Sequence, residues 1–304
     1  MSKRDFLSLS DLSLAEARDV YARTTKMKQA AKGSTLGLLP GRSVAVVLEK
    51  ASTRTRVSFE VGISQLGAHP ITLTTEGSQI ARGEPIKDTA RVLSGYCDLI
   101  AFRTFQTTRL REMASFASVP VINALSDDGH PVQILCDVYT VEEAFSAPIT
   151  GRKVAFVGDC SSNMARSWVE AARLFDFHLA LAAPEGYFPP DDEVRAAGDH
   201  VSLHRDAREA LRGCEVVNTD VWASMGQEGE ADKRRRAFAG WTLDGKMLEP
   251  AAANAIVLHC LPAHRGEEID DATMEGPRSR IFPQAENRLH VQKGLMCFLL
   301  GVHP

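Results

Sequence analysis

The chain has 304 residues, too long for one ordinary core and about right for two domains. Hydrophobic residues at 44% and charged residues at 24%, with no internal repeat, exclude a disordered chain and a solenoid. A net charge of -4, with both signs mixed along the chain, leaves no electrostatic footprint for nucleic acid.

The opening MSKRDFLSLSDLSLAEARD has no apolar leader core and soon turns acidic, and no later run reaches the length that spans a bilayer. A cytoplasmic protein without membrane association is expected. Six cysteines are scattered without C-x-x-C or His/Cys spacing, so reduced thiols and no metal site are expected.

SVAVVLEK (43–50) is the first predicted strand. It leads into STRTR (52–56), after which Phe59, Ile63 and Leu66 recur at i, i+4 and i+7. STRTR therefore straddles a helix N-terminus. Free N–H groups, the positive end of the macrodipole, the Ser52, Thr53 and Thr55 hydroxyls and the Arg54 guanidinium together suit a phosphate. A plain N-cap would account for Ser52, but it leaves arginines at the end of a helix where the dipole disfavours them.

PITLTT (70–75), CDLIAFRT (97–104) and VPVINAL (119–125) are the next predicted strands, each separated from its neighbour by a helix-period stretch. Such alternation predicts βαβ units and a mostly parallel sheet. Arg103 stands at the end of its strand, where ligands of open α/β sheets bind; taken alone it also reads as an exposed arginine. His130 and Gln133 follow Gly129 at the next predicted helix start, either as site residues or as a helix-start histidine with a solvent-facing glutamine.

After the turn-rich APITGRK (147–153) the pattern restarts, which sets a domain boundary near residue 150 and gives domains of 1–150 and 151–304. KVAFVGD (153–159), FHLALAAP (177–184), EVVNTDVW (215–222) and AIVLHCLP (255–262) are the second set of strands. GDCSSN lacks the later glycines of a dinucleotide fingerprint, and STRTR is not a Walker loop, so neither motif requires a nucleotide. Asn163 opens the next helix and could simply cap it. Asp220 ends an apolar run and needs a partner or a ligand. The run KRRR (233–236) reads as a solvated surface turn. Cys260 lies at the mouth of an apolar strand, where a buried structural thiol is the default. The last predicted helix, about 284–301, ends at Gly301 and is expected to pack back on the first domain. AENR (285–288) puts Arg288 in its first turn, a poor place for a cation unless it meets an anion.

STRTR, Arg103, HPVQ, DVWASMG, HCLP and AENR, in this order, resemble the aspartate/ornithine carbamoyltransferase superfamily over essentially the whole chain, and SMG and HCLP resemble its ornithine branch. The chain departs at 161–163, where SSN replaces the family's usual paired asparagines, so only Asn163 is carried over. The resemblance implies two doubly wound α/β domains with the active site in the cleft between them, no cofactor, and a homotrimer or a multiple of it. It implies transfer of the carbamoyl group of carbamoyl phosphate to the δ-amine of L-ornithine, giving L-citrulline and phosphate in arginine biosynthesis. Ser52, Thr53, Arg54, Thr55, Gln79, Arg103 and Arg288 would hold the phosphate. Thr55, Arg103 and His130 would polarise the carbonyl, Gln133 and the Leu261 carbonyl would accept from the carbamoyl NH2, and Asn163, Asp220, Ser224 and Met225 would hold ornithine. Cys260 beside Asp220 is the expected environment of the attacking amine. The rival readings are another amine acceptor, such as putrescine or an N-acylated ornithine; a dehydrogenase, which lacks its glycine fingerprint here; and a non-catalytic anion-binding protein.

Overall fold

The computed structural model describes residues 3–31, 33–74, 83–223 and 228–304. The chain divides into two compact units, 1–135 with 287–304, and 136–286.

The first unit is built on four parallel strands, β1 (Ser43–Leu48), β2 (His69–Thr74), β3 (Leu99–Arg103) and β4 (Val121–Leu125), in the order β2-β1-β3-β4. Its helices are α1 (Leu14–Lys28), α2 (Thr53–Gln65), α3 (Ile86–Tyr96) and α4 (Thr107–Phe116). The strands β1, β3 and β4 are apolar almost throughout and nearly every residue in them is buried, as a parallel sheet covered on both faces requires. Helix α1 starts with a capping box in which Ser13 and Glu16 satisfy each other's backbone N–H groups.

The second unit carries five parallel strands, β5 (Lys153–Val157), β6 (His178–Ala182), β7 (Val201–His204), β8 (Val216–Thr219) and β9 (Ile256–His259), in the order β7-β6-β5-β8-β9. Helix α5 (Pro131–Phe145) precedes them, α6 (Asn163–Phe175), α7 (Asp191–Ala197), α8 (Ala207–Ala210) and α9 (Ala231–Ala237) connect them, and α10 (Asp271–Glu275) follows the last strand. Helix α6 buries Met164, Ala165, Trp168, Val169, Ala172 and Phe175, one stripe at helical spacing. Trp168 is fully buried and meets Phe177 edge to face at 5.9 Å. A truncation there would cost about 3–5 kcal/mol.

The chain passes between the units inside α5 and inside the last helix, α11 (Ile281–Leu299). From Asn287 onward α11 belongs to the first unit, where Lys293 donates to Gln65 at 2.7 Å. Gly294 is required on that face, because a Cβ there would lie 2.2 Å from the Thr24 hydroxyl and 2.8 Å from the Val20 carbonyl of α1. Helix α11 starts three residues earlier than the sequence indicates, since Pro283 is tolerated in a first turn, where its missing N–H costs nothing. Arg288 is therefore well inside the helix, which corrects its expected place in the first turn.

Strand β7 was not anticipated. It has four residues, lies on the edge of its sheet and is only partly buried, so its hydrophobic signal is weak.

Candidate active site

Each sheet has one point where the strand order reverses, between β1 and β3 in the first unit and between β5 and β8 in the second. Ligands of open α/β sheets bind beyond the carboxyl ends of the strands at such points. Both polar clusters of the sequence lie there.

In the first unit Leu48 pairs with Arg103, so the loop after β1 opens beside the end of β3. Ser52 is the N-cap of α2, and its hydroxyl accepts from the Thr55 N–H at 3.3 Å. The cap turns the Thr55 side chain inward, where it is fully buried and its hydroxyl oxygen lies 2.9 Å from Ser52 Oγ. Arg288 donates to that oxygen from Nη2 at 2.9 Å, and Arg103 from Nη1 at a longer 3.4 Å. Two guanidinium groups, both about 4% exposed, thus converge on one hydroxyl at a helix N-terminus. Thr53 is exposed and Arg54 half-buried on the outer side of the same turn.

His130 and Gln133 are buried at the start of α5. Burial pushes the His130 imidazole well below the usual histidine value, and the Arg288 and Arg103 charges push it further. The imidazole is therefore neutral at physiological pH. Asp127, three residues before His130, accepts from Lys50 Nζ at 2.6 Å, which ties the loop after β4 to the loop after β1. An anion placed in this cluster meets helix N–H groups, hydroxyls and two fixed guanidiniums, the arrangement a phosphate takes.

In the second unit Thr219 pairs with His259, so the residues that follow them, Asp220 and Cys260, are neighbours. The Cys260 thiol donates to Asp220 Oδ1 at 3.1 Å, and the Val221 N–H donates to the same oxygen at 2.9 Å. Asp220 is buried, and burial raises its pKa; the hydrogen bonds from the Cys260 thiol and the Val221 N–H act against that shift. Cys260 is half-buried rather than a sealed core thiol.

The sequence places His259 at a strand end, in HCLP, without a role for it, and gives no sign of Glu268. Both are fully buried, with His259 Nε2 at 3.0 Å from Glu268 Oε1. His259 Nδ1 lies 2.9 Å from the Leu261 N–H and can only accept there. The proton is consequently on Nε2, where the carboxylate receives it. Glu268 Oε1 also accepts from the His264 N–H at 2.7 Å. The chain Glu268–His259–Leu261 fixes the backbone at Leu261, whose φ of 59° lies in the left-handed region that a leucine rarely adopts. Asp220, His259 and Cys260 stand close enough to hold a metal ion. Their polar atoms are already engaged, Cys260 with Asp220 and His259 with Glu268 and the Leu261 N–H, so they read as two hydrogen-bonded pairs.

Asn163 is the first residue of α6, and the cap is Ser162, whose hydroxyl accepts from the Ala165 N–H. The capping alternative for Asn163 therefore falls away. The structure also corrects the reading of KRRR as a surface turn, because the run lies in α9 and Arg234 is buried against Asp159. Gln79, Ser224 and Met225 lie outside the described residues. Among the described residues no helix is long and apolar enough to cross a membrane.

Residues 4–143 match the carbamoyl-P binding domain of aspartate/ornithine carbamoyltransferase, and residues 150–299 match its Asp/Orn binding domain. The chain is 66% identical to an ornithine carbamoyltransferase of Sorangium cellulosum, with 99% of each chain covered. It is 51% identical to one of Pelobacter propionicus, covering 98% of this chain and 99% of that one. Among solved structures, an ornithine carbamoyltransferase of Pyrococcus furiosus superposes with a TM-score of 0.93 at 40% identity, covering 99% of this chain and 98% of that one. An anabolic ornithine carbamoyltransferase of Campylobacter jejuni gives 0.91 at 38%, covering 97% and 98%.

Proposed function

Since the chain belongs to the aspartate/ornithine carbamoyltransferase family and transfers a carbamoyl group from carbamoyl phosphate to L-ornithine, we propose that its two polar clusters divide that reaction between them. The observation that carries this division is the convergence of Arg103 and Arg288 on the Thr55 hydroxyl at a helix N-terminus, with His130 buried at the start of α5.

In this reading the phosphate of carbamoyl phosphate rests on Ser52, Thr53, Arg54 and Thr55, with Gln79, Arg103 and Arg288 completing the set. Thr55, Arg103 and His130 donate to the carbonyl oxygen, and their bonds strengthen as it becomes an oxyanion. A neutral imidazole is suited to this, because it donates one N–H without adding a third cation. Gln133 and the Leu261 carbonyl accept from the carbamoyl NH2 and turn the carbonyl face toward the amine.

Asn163, Asp220, Ser224 and Met225 hold ornithine. The δ-amine lone pair attacks the carbonyl carbon, the tetrahedral intermediate collapses, and the C–O bond to phosphate breaks with the electron pair leaving on phosphate, which takes up the proton that the attacking nitrogen loses. The attacking amine must be neutral, and a free alkylamine has a pKa of about 10.4. A carboxylate favours the charged amine, so Asp220 positions the nitrogen rather than serving as a strong base. Cys260 shares Asp220 Oδ1 with the incoming amine and so adjusts how much negative charge the nitrogen meets. Most of the rate then comes from orientation and electrostatic stabilisation.

The biosynthetic direction, in arginine synthesis in the cytoplasm, is the physiological one proposed, as a homotrimer. Support comes from the similarity to an enzyme described as anabolic. Expression of the protein in a bacterial strain that lacks ornithine carbamoyltransferase and requires arginine should restore growth without arginine. Failure to restore growth by a well-expressed protein that is active in extracts would refute the biosynthetic assignment. Light scattering should give a mass three times that of the chain; a monomer would refute the trimer.

A further inference from the structure

Of the four consecutive basic residues 233–236, only Arg234 is buried. Its Nη1 donates to Asp159 Oδ2 at 2.5 Å and to the Trp222 carbonyl at 2.8 Å, while Nε donates to Glu230 Oε2 at 3.2 Å. The guanidinium also faces the Tyr187 ring at 5.3 Å. One turn further on, Phe238 stacks on Trp222 at 5.5 Å with the planes 11° apart. Arg234 is thus fixed from several sides.

What it joins is specific. Asp159 belongs to the turn after β5 and is itself only 3% exposed; its Oδ1 accepts from the Ser161 N–H at 3.0 Å and from the Ser161 hydroxyl at 2.5 Å. Asn163 follows two residues later. Trp222 belongs to the turn after β8, two residues beyond Asp220. Gly158, with a φ of 135° that favours glycine, lets the first turn run alongside the second. A single nitrogen of Arg234 therefore bridges the segment that carries Asn163 to the segment that carries Asp220.

A buried ion pair returns little net stability after both charges are desolvated, and an apolar pair of the same volume often does as well. Packing alone does not call for an arginine here. We propose that Arg234 is a positioning residue that sets the separation of Asn163 and Asp220, and through it the affinity for the amino-acid substrate. This rests on the reading that those two residues hold ornithine. Arg234 touches no reacting atom and acts through Asp159 and the Trp222 carbonyl.

Steady-state kinetics on the full-length protein test the inference. Both bridging bonds come from one nitrogen, so a lysine amine brought to that point can make both, and Arg234→Lys should keep a KM for ornithine close to wild type. Arg234→Met cannot bridge, and its KM for ornithine should rise about 10- to 100-fold, the size of effect expected from misplacing a substrate-holding group by about 1 Å. Carbamoyl phosphate affinity, followed by isothermal titration, should not change. Arg234→Met also strands a buried carboxylate and could fail to fold. Asp159→Asn covers that case, because its Oδ1 still accepts from Ser161 while its amide opposes Nη1, and the arginine keeps Glu230 and Trp222. It should raise the ornithine KM in the same way. An unchanged KM in Asp159→Asn, or equal weakening of both substrates, would overturn the proposal. A wild-type protein inactive with ornithine would instead overturn the ornithine reading, and this inference with it.

Discussion

Thr55→Val removes one hydroxyl and nearly nothing else, because valine fills the same volume. In the protein that oxygen accepts from the guanidiniums of Arg288 at 2.9 Å and Arg103 at 3.4 Å, besides the neutral Ser52 hydroxyl at 2.9 Å, in a site with no solvent exposure at Thr55. The first is a well-formed bond from a charged donor and the second is at the limit of bonding distance. One charge-assisted bond is worth about 1.5–3 kcal/mol, and the long one adds little. If the whole loss appears in ligand binding, the Kd for carbamoyl phosphate should rise about 10- to 150-fold, at 1.4 kcal/mol per decade. Part of it can appear instead as lost stability, so titration calorimetry of carbamoyl phosphate should be paired with denaturant unfolding and the two losses added. Thr55→Ser retains the hydroxyl and should bind as wild type does. If Thr55→Val left both the affinity and the stability unchanged, the idea that this hydroxyl organises the two guanidiniums would be wrong.

Glu268→Leu should remove the acceptor that keeps the His259 proton on Nε2 and release the Leu261 backbone; kcat should fall about 10- to 100-fold. Glu268→Gln keeps an acceptor oxygen for His259 and the His264 N–H, so it should retain most of the activity; equal loss in both variants would contradict the tautomer argument. The pH dependence of stability follows from His130, whose folded pKa lies well below its unfolded one. Below an unfolded value of about 6.5 the unfolded chain binds the extra proton, so stability falls as pH falls, by about 1.4 kcal/mol per unit from this one group. Urea unfolding between pH 7 and pH 5 should show a shallower loss in His130→Asn than in wild type. Identical slopes would mean that His130 charges freely in the folded protein.

Much of this was legible in the sequence, for physical reasons that differ from residue to residue. STRTR announces itself because the apolar run before it and the stripe after it leave no other place for a helix start, and the structure has Ser52 as the cap. Asp220 stood out because a carboxylate ending an apolar strand must meet something, and it meets the Cys260 thiol. Arg288 reaches Thr55 across 233 positions of sequence, a contact no local period reveals. Glu268 sits in the polar stretch RGEE and looks solvent-facing; only the fold turns it inward to His259. Arg234 is hidden inside KRRR, although Phe238 one turn later on the same face is a signal that this arginine points inward. The bounds of α11 were missed because Pro283 looks like a break, yet it stands where a helix accepts proline.

The central claim, that a phosphate-holding cluster and an ornithine-holding cluster serve one carbamoyl transfer, is tested most directly by turnover. The purified protein would be given carbamoyl phosphate with L-ornithine, putrescine, N-acetylornithine or L-aspartate in parallel, and phosphate and the carbamoylated product measured together. The account predicts citrulline and phosphate in equal amounts with L-ornithine and no comparable product with the other three. Preferred turnover of another amine, or phosphate release without a carbamoylated product, would contradict it.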